Sequence, residues 1–184
     1  VKFTPTAIPD VVMIELDVHK DQRGYFLETY HRKKYTDAGI DANFVQDNSS
    51  FSTKGTLRGM HSQRTQQQGK LVRCQKGAIY DVAADVRRGS PTFGQWVAVE
   101  LTEENARQLW VPEGFVHGFY TLSETAMMEY KCTDLYAPND ELGIVWNDPD
   151  LAIEWPVKDP VLSPKDAVYP RFAAVQDKLP EYTK

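Results

Sequence analysis

Between Lys70 and Trp146 short apolar segments follow one another with little between them except short turns, several of them containing glycine or proline. Lys70–Cys74, Ala78–Val86 and Trp96–Leu101 are separated by Lys76-Gly77 and by Arg88-Gly89-Ser90-Pro91, and Arg107–Pro112, Gly114–Leu122, Ala126–Cys132 and Gly143–Trp146 continue the series. Segments of this length, punctuated this way, read as strands. No internal run is long enough to supply the crossover helices of βαβ units, which removes the parallel α/β architectures. The expectation is a compact all-β domain, a sandwich or a small barrel closed by two sheets. Pro112 must sit at the end of its strand or on an unpaired edge, because it has no N–H to give to a ladder.

The flanking regions add to this frame. Val11–Leu16 is apolar enough for a strand, and Asp21-Gln22-Arg23-Gly24 is a turn that feeds the alternating Tyr25–Tyr30. His31–Ala38 can form one or two helical turns ending at Gly39, Phe44-Val45-Gln46 is a short strand, and Asp47-Asn48-Ser49-Ser50 is turn chemistry. Ser163-Pro164-Lys165-Asp166-Ala167 combines an N-cap with proline at the first helical position and predicts a short peripheral helix. The tail 147–184 is too short and proline-rich to fold alone, so it is expected to cover one end or edge of the barrel. Exposed edges of the β-domain could also be satisfied by a partner chain.

With 184 residues, one domain over 1–184 is the default. The 21 basic and 26 acidic residues leave a formal charge of −5, which argues against a general nucleic-acid or anionic-membrane binder. A local basic pocket for a small phosphate ligand remains compatible with that total. The N-terminus shows no signal-peptide core and the chain no run of 18 apolar residues, so a cytoplasmic protein outside the membrane is expected. Cys74 and Cys132 are too few for a disulfide framework and read as two small core residues, although their spacing leaves a pairing between them open.

Against this plain background one stretch stands out. Thr56–Gln63, followed after a polar turn by Gly69–Arg73, presents Arg58, His61 and Lys70 together. An arginine can hold an anion, a histidine can move a proton near neutral pH, and a lysine can hold developing negative charge. The competing reading places all three in solvent at strand ends. In Pro112–Phe119 two glycines flank the apolar strand that carries His117, which could line a site or simply be satisfied by a carboxylate in a packed β-domain. Tyr130 could donate a proton and Tyr136 could stack on a base, and either could fill core. The four histidines contain no His-X-His pair, since position 63 is glutamine, and no evident three-ligand set, so no metal is expected. There is no P-loop, dinucleotide glycine fingerprint or serine elbow; side chains must hold any phosphate.

Asp21–Glu28, Phe44–Asn48, Leu57–His61, Gly69–Val72, Ser90–Trp96, Pro112–Phe119, Tyr130-Lys131 and Ser163–Asp166, taken in order over nearly the whole chain, resemble the dTDP-4-dehydrorhamnose 3,5-epimerase family. The resemblance implies a metal-independent, cofactor-free, cupin-like jelly-roll sandwich, a homodimer with an N-terminal strand shared with the partner. It implies epimerisation of dTDP-4-dehydro-6-deoxy-D-glucose beside its ketone, at C3 and C5, to dTDP-4-dehydro-L-rhamnose. By the same resemblance His61 is the base, oriented by Asp166; Lys70, with His117, holds the enolate oxygen; Tyr130 is the acid. Arg23, contributed across the dimer, and Arg58 grip the diphosphate. Glu28, Gln46 and Asn48 bind the nucleotide, Tyr136 stacks on thymine, and Glu141 and Lys165 match further substrate-pocket positions. One departure is Ser62, where the family commonly has an aromatic residue. Loss of bulk beside His61 predicts either an altered pocket or altered surroundings of the residues that line it, and keeps open an epimerase acting at C3 or C5 alone. A non-catalytic sugar-nucleotide binding module would retain Arg23, Arg58 and Tyr136 without needing His61, Asp166, Lys70 and Tyr130 to converge.

Overall fold

The computed structural model describes residues 1–183. Along the chain come β1 (Lys2–Pro5), β2 (Val12–Glu15), the hairpin of β3 (Val18–Asp21) and β4 (Gly24–Leu27), helix α1 (Arg32–Asp37), β5 (Gln46–Thr53), β6 (Leu57–Gln63), β7 (Lys70–Lys76), β8 (Ala78–Asp85), β9 (Trp96–Thr102), β10 (Arg107–Val111), β11 (Phe115–Thr121), β12 (Thr125–Cys132) and β13 (Glu141–Gly143). Short 3-10 turns lie between Pro138 and Asp140 and, in the tail, at Asp166–Val168, Phe172–Ala174 and Gln176–Lys178. The strands form a six-stranded sheet in the order β1-β2-β10-β7-β12-β5 and a five-stranded sheet in the order β13-β6-β11-β8-β9. Their pairings are antiparallel throughout, as the absence of crossover helices requires. This is the cupin-like sandwich. β1 pairs with β2, and β2 with this chain's own β10, whereas among the described residues β3 and β4 pair only with each other.

Three apolar clusters explain why the strand signals are so dense. Val72, Leu109, Phe115, Phe119 and Met128 meet between the two sheets. The outer face of the five-stranded sheet is covered by the tail, whose Phe172, Val175 and Leu179 pack with Met60, Val82, Val116 and Ile144. β8 is therefore buried on both faces, which is why Ala78–Asp85 is almost continuously apolar instead of alternating. The outer face of the six-stranded sheet carries α1, with Tyr35, Ile40, Ile14 and Trp110 in contact. The tail is also tied by its backbone, since Leu57 N–H donates to the Val161 carbonyl at 3.0 Å. Cys74 and Cys132 are buried and unpaired, as small core residues.

Two expectations fail in instructive ways. Asp47-Asn48-Ser49-Ser50 is not a turn but the first half of β5, an eight-residue edge strand whose inward side chains are polar. The last strand falls on Glu141–Gly143, before the apolar Ile144–Trp146, because it is the pairing with Ser62 and its neighbours on β6 that makes it a strand. No helix among the described residues is long and apolar enough to cross a membrane.

Candidate active site

The strand pair β6–β11 sets the geometry of the site. His61 lies directly across from His117, and Arg58 across from Phe119, so β6 places three steps where β11 places two. Without that extra residue Arg58 and His61, three apart, would point to opposite faces of the sheet. The bulge reverses the alternation and turns both inward. It is accommodated by a close backbone approach: a Cβ on Gly118 would lie 2.8 Å from the Arg58 carbonyl oxygen and 3.2 Å from Gly59 Cα.

The result is a cavity of about 210 Å³ between the sheets. Arg58, His61, His117 and Phe119 line it from the five-stranded sheet, and Ser50, Lys70, Met128 and Tyr130 from the six-stranded one. The sandwich thus brings together five of the residues singled out in the sequence, and it puts His61 and Tyr130 on opposing walls.

His61, His117 and Arg58 are held by hydrogen bonds, and Lys70 by burial. His61 Nε2 bonds Asp166 Oδ1 at 2.6 Å across 105 residues of sequence. A carboxylate only accepts, so Nε2 carries the proton and Nδ1 is left as the nitrogen able to take one. Burial pushes the Asp166 carboxyl up, but its bonds to His61 and Ser163, with Lys165 nearby, outweigh this, and it stays below its ordinary value. His117 Nε2 bonds Asp81 Oδ1 at 2.9 Å, with both residues buried. Lys70 is buried at the start of β7, and burial lowers its ammonium pKa against the opposing pull of Cys132, Asp81 and Glu141. Burial likewise raises the Tyr130 phenol. Arg58 reaches across to β5, where it donates to Ser52 Oγ at 3.0 Å and to the Phe51 carbonyl at 3.2 Å.

The remaining expected residues lie around this core or apart from it. Gln46 and Asn48 sit on the inward side of β5, linked by a 3.0 Å bond, and the Gln46 amide oxygen accepts the Tyr136 N–H at 2.9 Å. Glu141 and Lys165 pair with each other at 2.8 Å behind His61, where Glu141 also accepts the Tyr169 hydroxyl. Burial raises the Glu141 carboxyl, and these two partners bring it below its ordinary value. Arg23 and Glu28 are not brought to the cavity within this chain: Arg23 is exposed at the tip of β3–β4 on its own Asp21, and Glu28 pairs with Lys34. Ser62 does not line the cavity, so its small side chain leaves the cavity wall itself unchanged. As the next residue along a regular strand it points to the opposite face from His61, paired with Leu142 under the tail.

Three residues at the site escaped the sequence reading. Asp81 is an acid inside an apolar strand, a pattern that itself asks for a buried partner. Tyr169 packs edge-on against His61 with centroids 5.5 Å apart and lies over Gly143, where any Cβ would collide with its ring. Gln63 is taken up below. Among the described residues no group of three His, Cys, Asp or Glu is placed to hold a metal ion.

A cupin-like sandwich that opposes a histidine–aspartate pair to a half-buried tyrosine, with a buried lysine in the same cavity, has the makings of an epimerase that works by proton transfer. The family model for dTDP-4-dehydrorhamnose 3,5-epimerase matches residues 5–174, and the chain belongs to that family. It is 54% identical over 174 residues to the dTDP-4-dehydrorhamnose 3,5-epimerase of Pseudomonas aeruginosa, covering 94% of this chain and 96% of that one. The crystal structure of the Legionella pneumophila dTDP-6-deoxy-D-glucose-3,5-epimerase, in complex with dTDP-4-keto-L-rhamnose, superposes with a TM-score of 0.96 at 49% identity, covering 100% of this chain and 99% of that one. ChmJ, a 3'-monoepimerase from Streptomyces bikiniensis crystallised with dTDP-quinovose, gives a TM-score of 0.91 at 35% identity over 97% of this chain and 92% of its own.

Proposed function

We propose that this chain inverts C3 and C5 of dTDP-4-dehydro-6-deoxy-D-glucose to give dTDP-4-dehydro-L-rhamnose. The observation that carries the reading is the placement of His61 and Tyr130 on opposite sheets across one cavity that also holds Lys70 and His117. His61 Nδ1 takes the proton from a carbon next to the ketone. The electrons of that C–H bond form the enolate C=C, and the carbonyl oxygen takes on negative charge. Lys70, buried in the cavity wall, meets that charge, and His117, whose Nε2–H goes to Asp81, adds to it when Nδ1 also carries a proton; a preorganised donor held away from bulk water is worth far more than in solution. Tyr130 returns a proton to the opposite face of the carbon, which is what changes its configuration, and solvent then resets both groups. Asp166 keeps His61 in the tautomer this requires.

The nucleotide is the handle. Arg58 takes the diphosphate, Gln46 and Asn48 the nucleoside, and Tyr136 at the rim stacks on thymine. Remote binding of this kind can hold a sugar whose own hydroxyls change orientation during the reaction. Arg23 and Glu28 serve the site of a second copy, reached by the β3–β4 hairpin of a homodimer. The buried, unpaired Cys74 and Cys132 suit a reducing, cytoplasmic setting.

Incubation with the 4-keto sugar nucleotide in deuterated water tests the reaction. Label is expected at both C3 and C5; label at one carbon alone would replace the double epimerase with a single-position one, and label at neither would leave a binding module. His61→Ala should cut exchange at both carbons by at least about a hundredfold while dTDP binding stays measurable. Equal loss of exchange and binding would refute a dedicated base.

A further inference from the structure

Gln63 lies two residues beyond His61 on β6 and is buried. Its amide is saturated by backbone: the oxygen accepts the Ala137 N–H at 2.7 Å, and the nitrogen donates to the Leu135 carbonyl at 3.1 Å and to the Gln66 carbonyl. Two carbonyls on one side and an N–H on the other allow only one orientation of the amide. Leu135 and Ala137 are the two neighbours of Tyr136, and the Tyr136 N–H goes to Gln46. This segment follows the end of β12 at Cys132 and has no strand to lie against. The Leu135 carbonyl and the Tyr136 and Ala137 N–H groups are taken instead by the side chains of Gln63 and Gln46, the Leu135 N–H by Asp134 and the Asp134 carbonyl by Gln68, while Tyr136 stands 52% exposed.

We propose that Gln63 is a positioning residue: it fixes the Leu135–Ala137 backbone so that the Tyr136 ring is already in place when the thymine base arrives. The inference rests on the reading that Tyr136 stacks on that base. Gln63 shares its strand with His61, so the platform for the base and the group that moves the proton are referenced to one rigid element. Without the amide, the exposed ring would have to be ordered at each binding event, and the nucleotide end of the substrate would bear that cost.

The test is a double-mutant cycle read by dTDP affinity, with steady-state kinetics on the sugar nucleotide. Gln63→Met keeps the length of the side chain and removes all three bonds. It should weaken dTDP binding about tenfold, within the range expected for one base–aromatic stack, and raise KM in proportion, with a much smaller fall in kcat. Tyr136→Ala should weaken dTDP comparably, and the double variant should be no weaker than Tyr136→Ala alone. If Gln63→Met does not fold, Gln63→Glu, which keeps an oxygen facing the Ala137 N–H and loses both donors, takes its place in the cycle. Wild-type dTDP affinity in the Gln63 variant, additive losses in the double variant, or a fall in kcat as large as the rise in KM would each overturn the proposal. If Tyr136→Ala itself leaves dTDP affinity unchanged, the stacking reading falls and the positioning role falls with it, whereas a weakened Tyr136→Ala beside an unaffected Gln63→Met removes the positioning role alone.

Discussion

In the proposed mechanism Lys70 has to carry a positive charge in a place that disfavours it. Burial lowers its pKa, and the nearby acidic groups only partly restore it. Its ammonium is therefore lost at a lower pH than that of a free lysine, whose ordinary value is about 10.4. If the ammonium meets the enolate oxygen, kcat/KM should fall on the alkaline side before that value is reached. Tyr130 is not the source of such a limb, because burial moves its pKa upward and keeps the phenol protonated over the same range. Lys70→Gln should lose about 10²–10³ in kcat, the usual cost of one donor to a developing oxyanion, and its residual rate should be free of the early alkaline fall. A pH profile of kcat/KM for the two proteins checks this, and a limb that persists in Lys70→Gln would have to be assigned to another group.

At the level of the strand, the β6 bulge decides whether the site exists. Gly118 faces it with no room for a side chain: its Cβ would meet Arg58 O at 2.8 Å and Met60 Sδ at 2.7 Å. The thioether can swing away, but the carbonyl cannot move without β6. Gly118→Ala should cost about 1–3 kcal/mol of stability, as overpacking does, seen as a drop of several degrees in Tm for a domain of this size. It should also lower kcat, because β6 carries His61, the proposed base; unchanged Tm and kcat would mean that the two strands separate freely. The same strand shows what could be read in advance. Lys70–Cys74, Ala78–Val86 and Trp96–Leu101 were legible because burial on one or both faces writes itself as apolar residues. β5 was hidden because its inward face is polar, and it is polar because Gln46, Asn48 and Ser50 face the site region instead of core. Arg58, His61 and Lys70 were legible as a cluster of chemistry, and resemblance supplied Asp166. Asp81, Tyr169 and Gln63 act only through contacts made across the fold: Asp81 and His117 are 36 positions apart, and no local pattern records such a pairing.

For the molecule as a whole the question is how a protein with a net charge of −5 holds a nucleoside diphosphate. Within one chain Arg58 and Lys70 are the cations lining the cavity, and Arg23 stands away from it. Among the described residues the hairpin that carries Arg23 pairs with no other strand, and it leaves Tyr25 64% and Phe26 69% exposed. Apolar rings in that position are better suited to a partner than to water. In a homodimer with two-fold symmetry each hairpin would complete the other copy's site, adding a cation where the diphosphate lies. The protein should then sediment at twice its 21.0 kDa chain mass. Arg23→Ala should raise KM for the sugar nucleotide and leave the His61–Asp166 pair intact, while His61→Ala should bind and not turn over. Each variant alone should be nearly inactive at low substrate. Unfolded together and refolded as a mixture, they pair at random, so about half of the dimers are mixed, and each mixed dimer has one site with both residues intact. Activity should recover to about a quarter of the wild-type value. If Arg23 instead serves the site of its own chain, the mixed dimer contains no intact site and mixing restores nothing.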